Sequence, residues 1–327
     1  MKKALSILLS LALTATLLTG CGGGGTEGTS AGDAGTGTGG STGGTSSDGI
    51  VTMGVSGTPD LDPAKATTGS SIIAMVNMYD TLVYPTEDGV EPRVAESWDI
   101  SEDGLTYTLH IKQGIQFHNG DEMTASDVAF SMNRLLTIGE GYAYIFADAV
   151  ESAEATDDYT VVFHMKKTFG PFVSALVRLF ILNEDQVMAN AEAEGAYGEF
   201  GDYGTSWLVT NDAGSGAYMA KELVQQDYFL AEKFDNWFVG WDNEYAPEGF
   251  QMMAITEAAT VRTMMANREL DITDQWQSTE TLNALAQIDG VSIGEYSTFL
   301  EYNLYYNTQL APMDDINFRR AISCLID

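Results

Sequence analysis

A long glycine-rich tract near the amino terminus limits which part of this chain can form a packed domain. Residues 22–49 contain little except Gly, Thr and Ser, with a few acidic residues and alanines. Such a segment has almost no apolar surface to bury, so we expect a flexible tether. No predicted strand precedes the glycines and no Gly-Lys-Ser/Thr follows them, which argues against a phosphate-binding loop. The folded body is therefore predicted to begin near residue 50.

The segment before this tract has the layout of a secretion signal. Two lysines precede an apolar, uncharged run at residues 4–18, which is too short for a comfortable membrane span. The sequence "LTGC" at 18–21 resembles the bacterial lipobox, in which the cysteine is acylated. We predict a signal peptide at 1–20 and a lipidated Cys21 that opens the tether at 21–49. An ordinary signal peptide with a chance cysteine is the alternative.

The charge of the chain excludes several classes of function. The sequence has 47 acidic and 15 basic residues, a formal net charge of −32 at pH 7. Nucleic-acid binding requires a basic footprint, so we expect none, and we expect no adhesion to anionic lipid without the acyl anchor. After Cys21 only Cys324 remains, so the mature chain can form no internal disulfide. We predict that Cys324 packs on the buried face of a helix.

Recognisable catalytic and metal-binding motifs do not occur in the sequence. There is no nucleophile elbow, P-loop, Rossmann fingerprint or Cys-x-x-Cys. The histidines at 110, 118 and 164 are not paired at metal-ligand spacing, and His110 and His164 lie in alternating runs that predict strands. We therefore expect no enzyme activity, no bound metal and no cofactor.

Hydrophobic periodicity predicts a mixed α/β body. The predicted strands are an opening strand at 50–56, a strand at 105–112, hairpins at 150–167 and 214–234, and an aromatic strand at 299–308. The predicted helices are 70–84, 124–136 with a Thr124–Asp127 capping box, 258–272, and one that starts within 317–327. The last pattern reaches residue 327 without a stop signal, which favours a longer protein.

Four motifs follow one another closely in the first half of the body: "AESW" (95–98), "DGLTY" (103–107), "GIQFHNG" (114–120) and "TASDV" (124–128). Further motifs are "LDP" (61–63), "GSGAY" (214–218), "VRTMMANRELDI" (261–272) and "FRRAISCLID" (318–327). Together they resemble extracytoplasmic solute-binding protein family 5, the peptide- and nickel-type binding proteins of ABC importers. Ser215 and Ala217 depart from the Gly-Thr-Gly-Pro-Tyr of the family.

The resemblance implies a two-lobed, type II periplasmic-binding-protein fold. Lobe I is predicted at 50–265 with an inserted subdomain at about 90–200, and an incomplete lobe II at 266–327. The implied function is capture of a dipeptide or oligopeptide and its delivery to an ABC permease, by a monomer anchored outside the cell membrane. Another solute remains open, such as an oligosaccharide, opine, haem or metal chelate. A sensory lipoprotein and an extracellular hydrolase are further alternatives.

Loops that face the cleft in the family supply the candidate binding residues. The candidates are Thr68, Gly69, Ser70, Ser71, Tyr142 and Trp276. The first four open a helix, where free N–H groups can meet a carboxylate or carbonyl of the ligand, and a plain helix cap is the alternative. The two aromatics are candidate pocket walls, with core packing as the alternative. Trp98 and His118 are predicted to be structural.

Overall fold

The computed structural model describes residues 49–295 and 303–326. The predicted leader at 1–20, Cys21 and the tether up to residue 48 lie outside the described residues. The described residues all belong to one compact unit. Within them, no helix has both the length and the apolar character that a bilayer span requires.

Strands and helices are mixed along the described residues, which confirms the predicted α/β class. The strands are β1 (Ile50–Val55), β2 (Val83–Thr86), β3 (Gly89–Pro92), β4 (Ala95–Ile100), β5 (Thr106–Ile111), β6 (Val150–Asp157), β7 (Thr160–Met165), β8 (Tyr218–Val224), β9 (Tyr228–Lys233), β10 (Gly249–Ala254) and β11 (Ile272–Thr273). The α-helices are α1 (Gly69–Met78), α2 (Ala125–Ile138), α3 (Ala143–Phe146), α4 (Phe172–Ala175), α5 (Glu184–Ala189), α6 (Ala258–Asn267), α7 (Thr279–Leu285) and α8 (Ile316–Ser323).

The first sheet contains the opening strand and has the order β11-β1-β10-β9-β8. β1 is parallel to both of its neighbours, whereas β9 is antiparallel to β10 and β8. The predicted hairpin at 214–234 is confirmed as β8 and β9. β11 joins this sheet although it lies beyond residue 266, where the second lobe is predicted to begin. The lobe boundaries stay a prediction.

The second sheet is antiparallel, with the order β4-β5-β7-β6. Along β5 and β7 buried residues alternate with half-buried ones, as the period of two predicts. The hairpin at 150–167 is confirmed as β6 and β7. α2 packs on this hairpin, and the ring of Phe172 covers the inner face at centroid distances of 4.6 Å from Tyr107 and 5.2 Å from Phe163.

The start of α2 is set by the predicted capping box. One carboxylate oxygen of Asp127 accepts hydrogen bonds from the backbone N–H of Thr124 at 2.8 Å and from its hydroxyl at 3.1 Å. The helix ends at Gly139, whose φ of 72° is the left-handed conformation that glycine adopts readily. The predicted helix and its predicted capping pair are both confirmed.

The prediction of one helix over 70–84 is wrong in its second half. α1 ends at Met78, and Tyr79 has extended backbone angles of −125° and 138°. Leu82 and Val83 are buried as predicted, but they lead into the hairpin of β2 and β3. A bridge between Thr81 and Phe180 fixes the extended path. Burial of these apolar residues is satisfied by either conformation, so periodicity alone does not distinguish them.

Two predictions near the end of the chain are also wrong. The described part of the predicted strand at 299–308 is irregular from 303 to 307, and no described strand pairs with it. A strand requires such a neighbour to satisfy its backbone groups. α8 forms where predicted but has no buried residue, and Cys324 at its end is exposed. No described element covers the helix face that was expected to pack.

Candidate functional site

The carboxyl ends of three parallel strands define one edge of the first sheet. β10, β1 and β11 run in the same direction and are followed in the chain by α6, α1 and α7. In open α/β sheets, ligands bind in the crevice outside the carboxyl ends of the strands. This edge is therefore the candidate site, and it includes the loop of residues 56–68 between β1 and α1.

The start of α1 contains four of the residues predicted to contact the ligand. The hydroxyl of Thr68 accepts a hydrogen bond from the backbone N–H of Ser71 at 3.2 Å. The hydroxyl of Ser71 in turn accepts one from the backbone N–H of Asp60 at 2.9 Å. Ser70 and Ser71 are buried. These side chains stabilise the helix start, while the first N–H groups of a helix have no partner inside it. Ligand contact by Thr68, Gly69, Ser70 and Ser71 stays a prediction.

Trp276 lies directly against this helix start. Its indole nitrogen is 3.3 Å from the position that a Cβ on Gly69 would occupy, so the missing side chain makes room for the ring. The backbone N–H of Trp276 donates to the buried Asp274 at 3.1 Å. Trp276 is still 58% exposed as a residue. Gly69 and Trp276, which are both predicted from the sequence to contact the ligand, are 207 residues apart in the chain. In the fold they lie side by side and form one continuous surface.

Tyr142 contacts another part of the same loop system. Its ring lies 5.1 Å below the guanidinium of Arg178 and 6.3 Å from the ring of Tyr144. The preceding residue, Gly141, has a φ of 55°, and a Cβ there would lie 2.7 Å from the carbonyl oxygen of Ala64. Only glycine permits this approach, which holds the Tyr142 segment against the loop between β1 and α1.

A buried ion pair fixes that loop, and the sequence analysis did not identify it. Arg134 of α2 donates two hydrogen bonds of 2.7 Å to the carboxylate of Asp62, and both side chains are almost fully buried. A third hydrogen bond of 2.9 Å goes to the carbonyl of Tyr203. The sequence signal that could have indicated this ion pair was an arginine next to the apolar residues of a predicted helix. Burial raises the pKa of the neighbouring Asp60, against the hydrogen bond from the N–H of Asp62.

His118 joins the "FHNG" and "GSGAY" motifs away from the exposed surface. Its Nδ1 is 2.7 Å from the carboxylate of Asp212, and its Nε2 is 3.0 Å from the carbonyl of Gly216. Both partners are acceptors, so both contacts are hydrogen bonds only when both ring nitrogens carry hydrogen. Its backbone N–H also donates to Gly214 at 2.8 Å. These contacts agree with the predicted structural role of His118.

The other histidines have ordinary positions in the second sheet. His110 and His164 lie on β5 and β7, as predicted, and face Thr160 and Glu154. Within residues 49–295 and 303–326, no three His, Cys, Asp or Glu side chains are grouped to hold a metal ion.

The fold and this edge are typical of proteins that bind a small ligand. A helix start, an exposed indole and fixed loops lie at the carboxyl ends of the parallel strands. Small ligands bind at this position in open α/β sheets. The matching profile is that of the bacterial extracellular solute-binding proteins, family 5, over residues 89–327. The chain belongs to this family, whose members are binding proteins that serve transport.

Curated relatives include two peptide-binding proteins. The chain is 30% identical over 287 residues to the probable D,D-dipeptide-binding periplasmic protein DdpA of Escherichia coli (strain K12), covering 85% of this chain and 53% of that protein. It is 28% identical over 291 residues to di/tripeptide-binding protein 2 of Pseudomonas aeruginosa (strain UCBPP-PA14), covering 80% and 51%. The chain thus spans about half the length of the curated relatives it matches.

Solved structures show the same fold. The periplasmic binding protein DppA of Helicobacter pylori, in complex with the peptide STSA, is 26% identical with a TM-score of 0.57, over 68% of this chain and 45% of that one. The dipeptide-binding protein of Pseudoalteromonas sp. SM9913, in complex with Met-Leu, is 21% identical with a TM-score of 0.68, over 85% and 57%. The second likeness is evidence for the fold alone.

Proposed function

We propose that this protein is the solute-binding component of an ABC importer and that its solute is a short peptide. Family membership supplies the class, and the names of the relatives favour dipeptides and oligopeptides. The structural observation that carries the proposal is the surface formed by the start of α1 and Trp276. First-turn N–H groups can bind a peptide carbonyl or carboxylate, and the exposed indole can cover an apolar side chain.

Capture of the peptide requires no bond to be made or broken. A ligand that also contacts a second lobe stabilises the closed arrangement by its higher affinity for that state. Hydrogen bonds to the peptide backbone are independent of side-chain identity, so such a receptor accepts many sequences. We expect a monomer that releases its peptide unchanged to the permease. A hydrolase would consume the peptide instead.

Binding is tested with a pool of synthetic peptides of two to five residues. The purified protein is incubated with the pool and washed, and retained peptides are identified by mass spectrometry. We expect intact peptides at one per protein, and about tenfold weaker binding for Trp276→Ala. Tyr245→Ala is the matched control, since Tyr245 is 81% exposed and precedes β10 at its amino end, opposite the candidate edge.

Two results would contradict this assignment. Retention of haem or of a nickel–histidine chelate in place of peptides would favour one of the other solutes, and shortened peptides would indicate hydrolysis. If Trp276→Ala and Tyr245→Ala bound the pool equally well, the surface beside α1 would not be the binding site.

We further propose that Cys21 carries a lipid that anchors the protein outside the cell membrane. The apolar run before it and the glycine tract after it support this proposal. Cys21→Ala should abolish incorporation of labelled palmitate and move the protein to the soluble fraction. Cys324→Ala, which removes the remaining cysteine, should leave the label and the membrane fraction unchanged. Label retained in Cys21→Ala would disprove the anchor.

A further inference from the structure

The loop between β11 and α7 is fixed at both of its ends. Asp274 follows β11 directly, and its backbone N–H donates to the carbonyl of Gly54 in β1 at 3.0 Å. At the other end, the hydroxyl of Ser278 accepts a hydrogen bond of 3.1 Å from the N–H of Thr281 and caps α7. Residues 275–277 lie between these two fixed points.

Within the loop, one carboxylate oxygen of Asp274 holds two further groups. It accepts a hydrogen bond of 3.1 Å from the backbone N–H of Trp276 and another of 3.1 Å from the side-chain amide of Gln277. The first is the contact of an Asx turn, which fixes the backbone direction of the residue that donates it. Asp274 is only 7% exposed. Because little water reaches this carboxylate, the two hydrogen bonds from the loop are needed to stabilise it.

The start of α1 limits the indole of Trp276 on its other side. The indole nitrogen lies 3.3 Å from the position of a Cβ on Gly69, so the ring is close to the backbone of the first helical turn. More than half of Trp276 is exposed, so packing covers the smaller part of the residue. The position of the indole therefore depends strongly on the backbone of Trp276, and Asp274 is the residue that holds this backbone.

An indole that is held in place before the ligand arrives favours tight binding. Ordering a side chain or a loop on association costs free energy, and a receptor that is already ordered avoids this cost. Contact residues that are supported by regular secondary structure are also held most accurately. Here the support is the parallel pairing of β1 and β11, to whose end Asp274 is attached.

We propose that Asp274 is a positioning residue for peptide capture, because its carboxylate holds the indole of Trp276 against the start of α1. The inference rests on the proposed function and identifies the residue that prepares the proposed surface before a peptide binds. Asp274 acts through Trp276 and requires no contact with the peptide. Two other roles predict different results: stabilisation of the loop without effect on the indole, and direct contact between Asp274 and the peptide.

The position of the indole is measured by fluorine NMR on protein labelled with 5-fluorotryptophan. The five tryptophans of the chain should give five resonances, and the Trp276 resonance is assigned by its absence in Trp276→Phe. Asp274→Ala should move this resonance toward the shift of a free indole in water and leave the others in place. Asp274→Asn should move it less, because an amide oxygen can still accept the two hydrogen bonds.

Asp271→Ala is the matched control for the loss of a carboxylate. Asp271 precedes β11, and its side chain accepts a hydrogen bond of 2.8 Å from the backbone N–H of Thr52 in β1. The control removes the same kind of contact from the same pair of strands, at the end away from the indole. We expect Asp271→Ala to leave the Trp276 resonance and the peptide affinity unchanged.

Peptide affinity is measured by calorimetry with a peptide retained from the synthetic pool. The proteins are the wild type, Asp274→Ala, Trp276→Ala and the double variant. We expect Asp274→Ala to weaken binding by about 3- to 10-fold, because the indole must then be ordered when the peptide binds. In the Trp276→Ala background the same change should weaken binding by less than about twofold, because a residue that acts through the indole has no effect once the indole is gone.

The outcomes separate this inference from the function on which it rests. If the wild-type protein binds no peptide, the proposed function fails, and the role in capture fails with it even when the resonance moves as expected. If peptides bind but Asp274→Ala leaves the Trp276 resonance or the affinity unchanged, peptide capture stands and the positioning role is wrong.

Additive effects of Asp274→Ala and Trp276→Ala would also overturn the positioning role, since Asp274 would then contact the peptide itself or act elsewhere. Thermal unfolding of each variant checks that the fold is retained. If Asp274→Ala does not fold, Asp274→Glu replaces it in both measurements with the same expected results, because it keeps the charge but displaces the accepting oxygen.

Discussion

Arg134 is among the largest fully buried side chains of the described residues, and a single carboxylate balances its charge. Its contacts to Asp62 and Tyr203 connect α2 with the loop before α1 and with a segment 69 residues further along the chain. Removing two charges from water is costly, so such a pair adds little net stability over an apolar pair. Its effect is to fix the position of the loop next to the candidate edge.

Removing one partner of this pair should be strongly destabilising. Arg134→Met leaves the Asp62 carboxylate buried and unpaired, so we expect the free energy of unfolding to fall by about 3–5 kcal/mol. Urea denaturation followed by circular dichroism measures the change. The double variant Asp62→Leu/Arg134→Met should recover most of the loss, because no charge remains buried. A single variant within about 1 kcal/mol of the wild type would contradict this explanation.

At the level of elements, the "GSGAY" turn shows why two of its positions are glycines. A Cβ on Gly214 would lie 2.0 Å from the carbonyl oxygen of Met78 at the end of α1, and one on Gly216 would lie 2.5 Å from that of Asn77. The N–H of Gly216 donates to Met78 at 2.9 Å. The departure at Ser215 is accommodated, since its hydroxyl donates to the buried Asp80 at 3.0 Å.

Gly214→Ala should therefore separate the turn from α1. The clash is with backbone atoms, which cannot move independently, so we expect a loss of about 2–3 kcal/mol in the free energy of unfolding. Gly170→Ala is the control, because Gly170 has no atom within 4 Å of its added Cβ and no positive φ. Differential scanning calorimetry of both variants should show a lower Tm for the first alone. Equal Tm values would mean that the turn adapts.

At the level of the whole molecule, charge dominates the response to pH and salt. The formal net charge of −32 produces self-repulsion in the folded state. Burial also raises the pKa of the carboxyl groups of Asp60, Asp80 and Asp127. A carboxyl with a raised folded pKa binds more protons in the folded state than in the unfolded state. Above the ordinary value of 3.8, these groups therefore reduce stability as pH rises through their folded pKa values.

We predict that the free energy of unfolding increases as the pH is lowered from 7 through the folded pKa values of these groups, and when NaCl is added at pH 7. Below the ordinary value of 3.8 the trend should reverse, because hydrogen bonds lower the pKa values of Asp103 and Asp157, and at Asp202 the opposing effect of burial is outweighed by hydrogen bonds. The stabilisation from these carboxylates is lost when they are protonated. Urea unfolding across this range measures both effects. Asp80→Asn should show a smaller increase in stability as the pH is lowered from 7, because one carboxyl with a raised pKa is removed. A steady decrease in stability below pH 7, or with added salt, would contradict the prediction.

The sequence by itself determined the features that depend on near neighbours along the chain. The alternation in β5 and β7, the Thr124–Asp127 cap and the first part of the helix predicted at 258–272 follow from the geometry of a few consecutive residues. The end of that helix was predicted wrongly, since α6 ends at Asn267 and Ile272 lies in β11. The family motifs also belong to this level. Six candidate residues could be proposed in this way, although their contact with a ligand remains to be tested.

Tertiary structure alone decided which distant residues meet. Examples are the parallel pairing of β1 with β10 and the contact of Trp276 with Gly69. Arg134 forms an ion pair with Asp62, whereas Arg178 packs on the ring of Tyr142. All of these contacts depend on the path of the chain between the residues. The same holds for the end of α1 at Met78 and for the irregular path at 303–307. The pattern of apolar and charged residues indicates that a side chain must be buried or paired. Which residue it contacts is decided by packing between segments that are far apart in the chain.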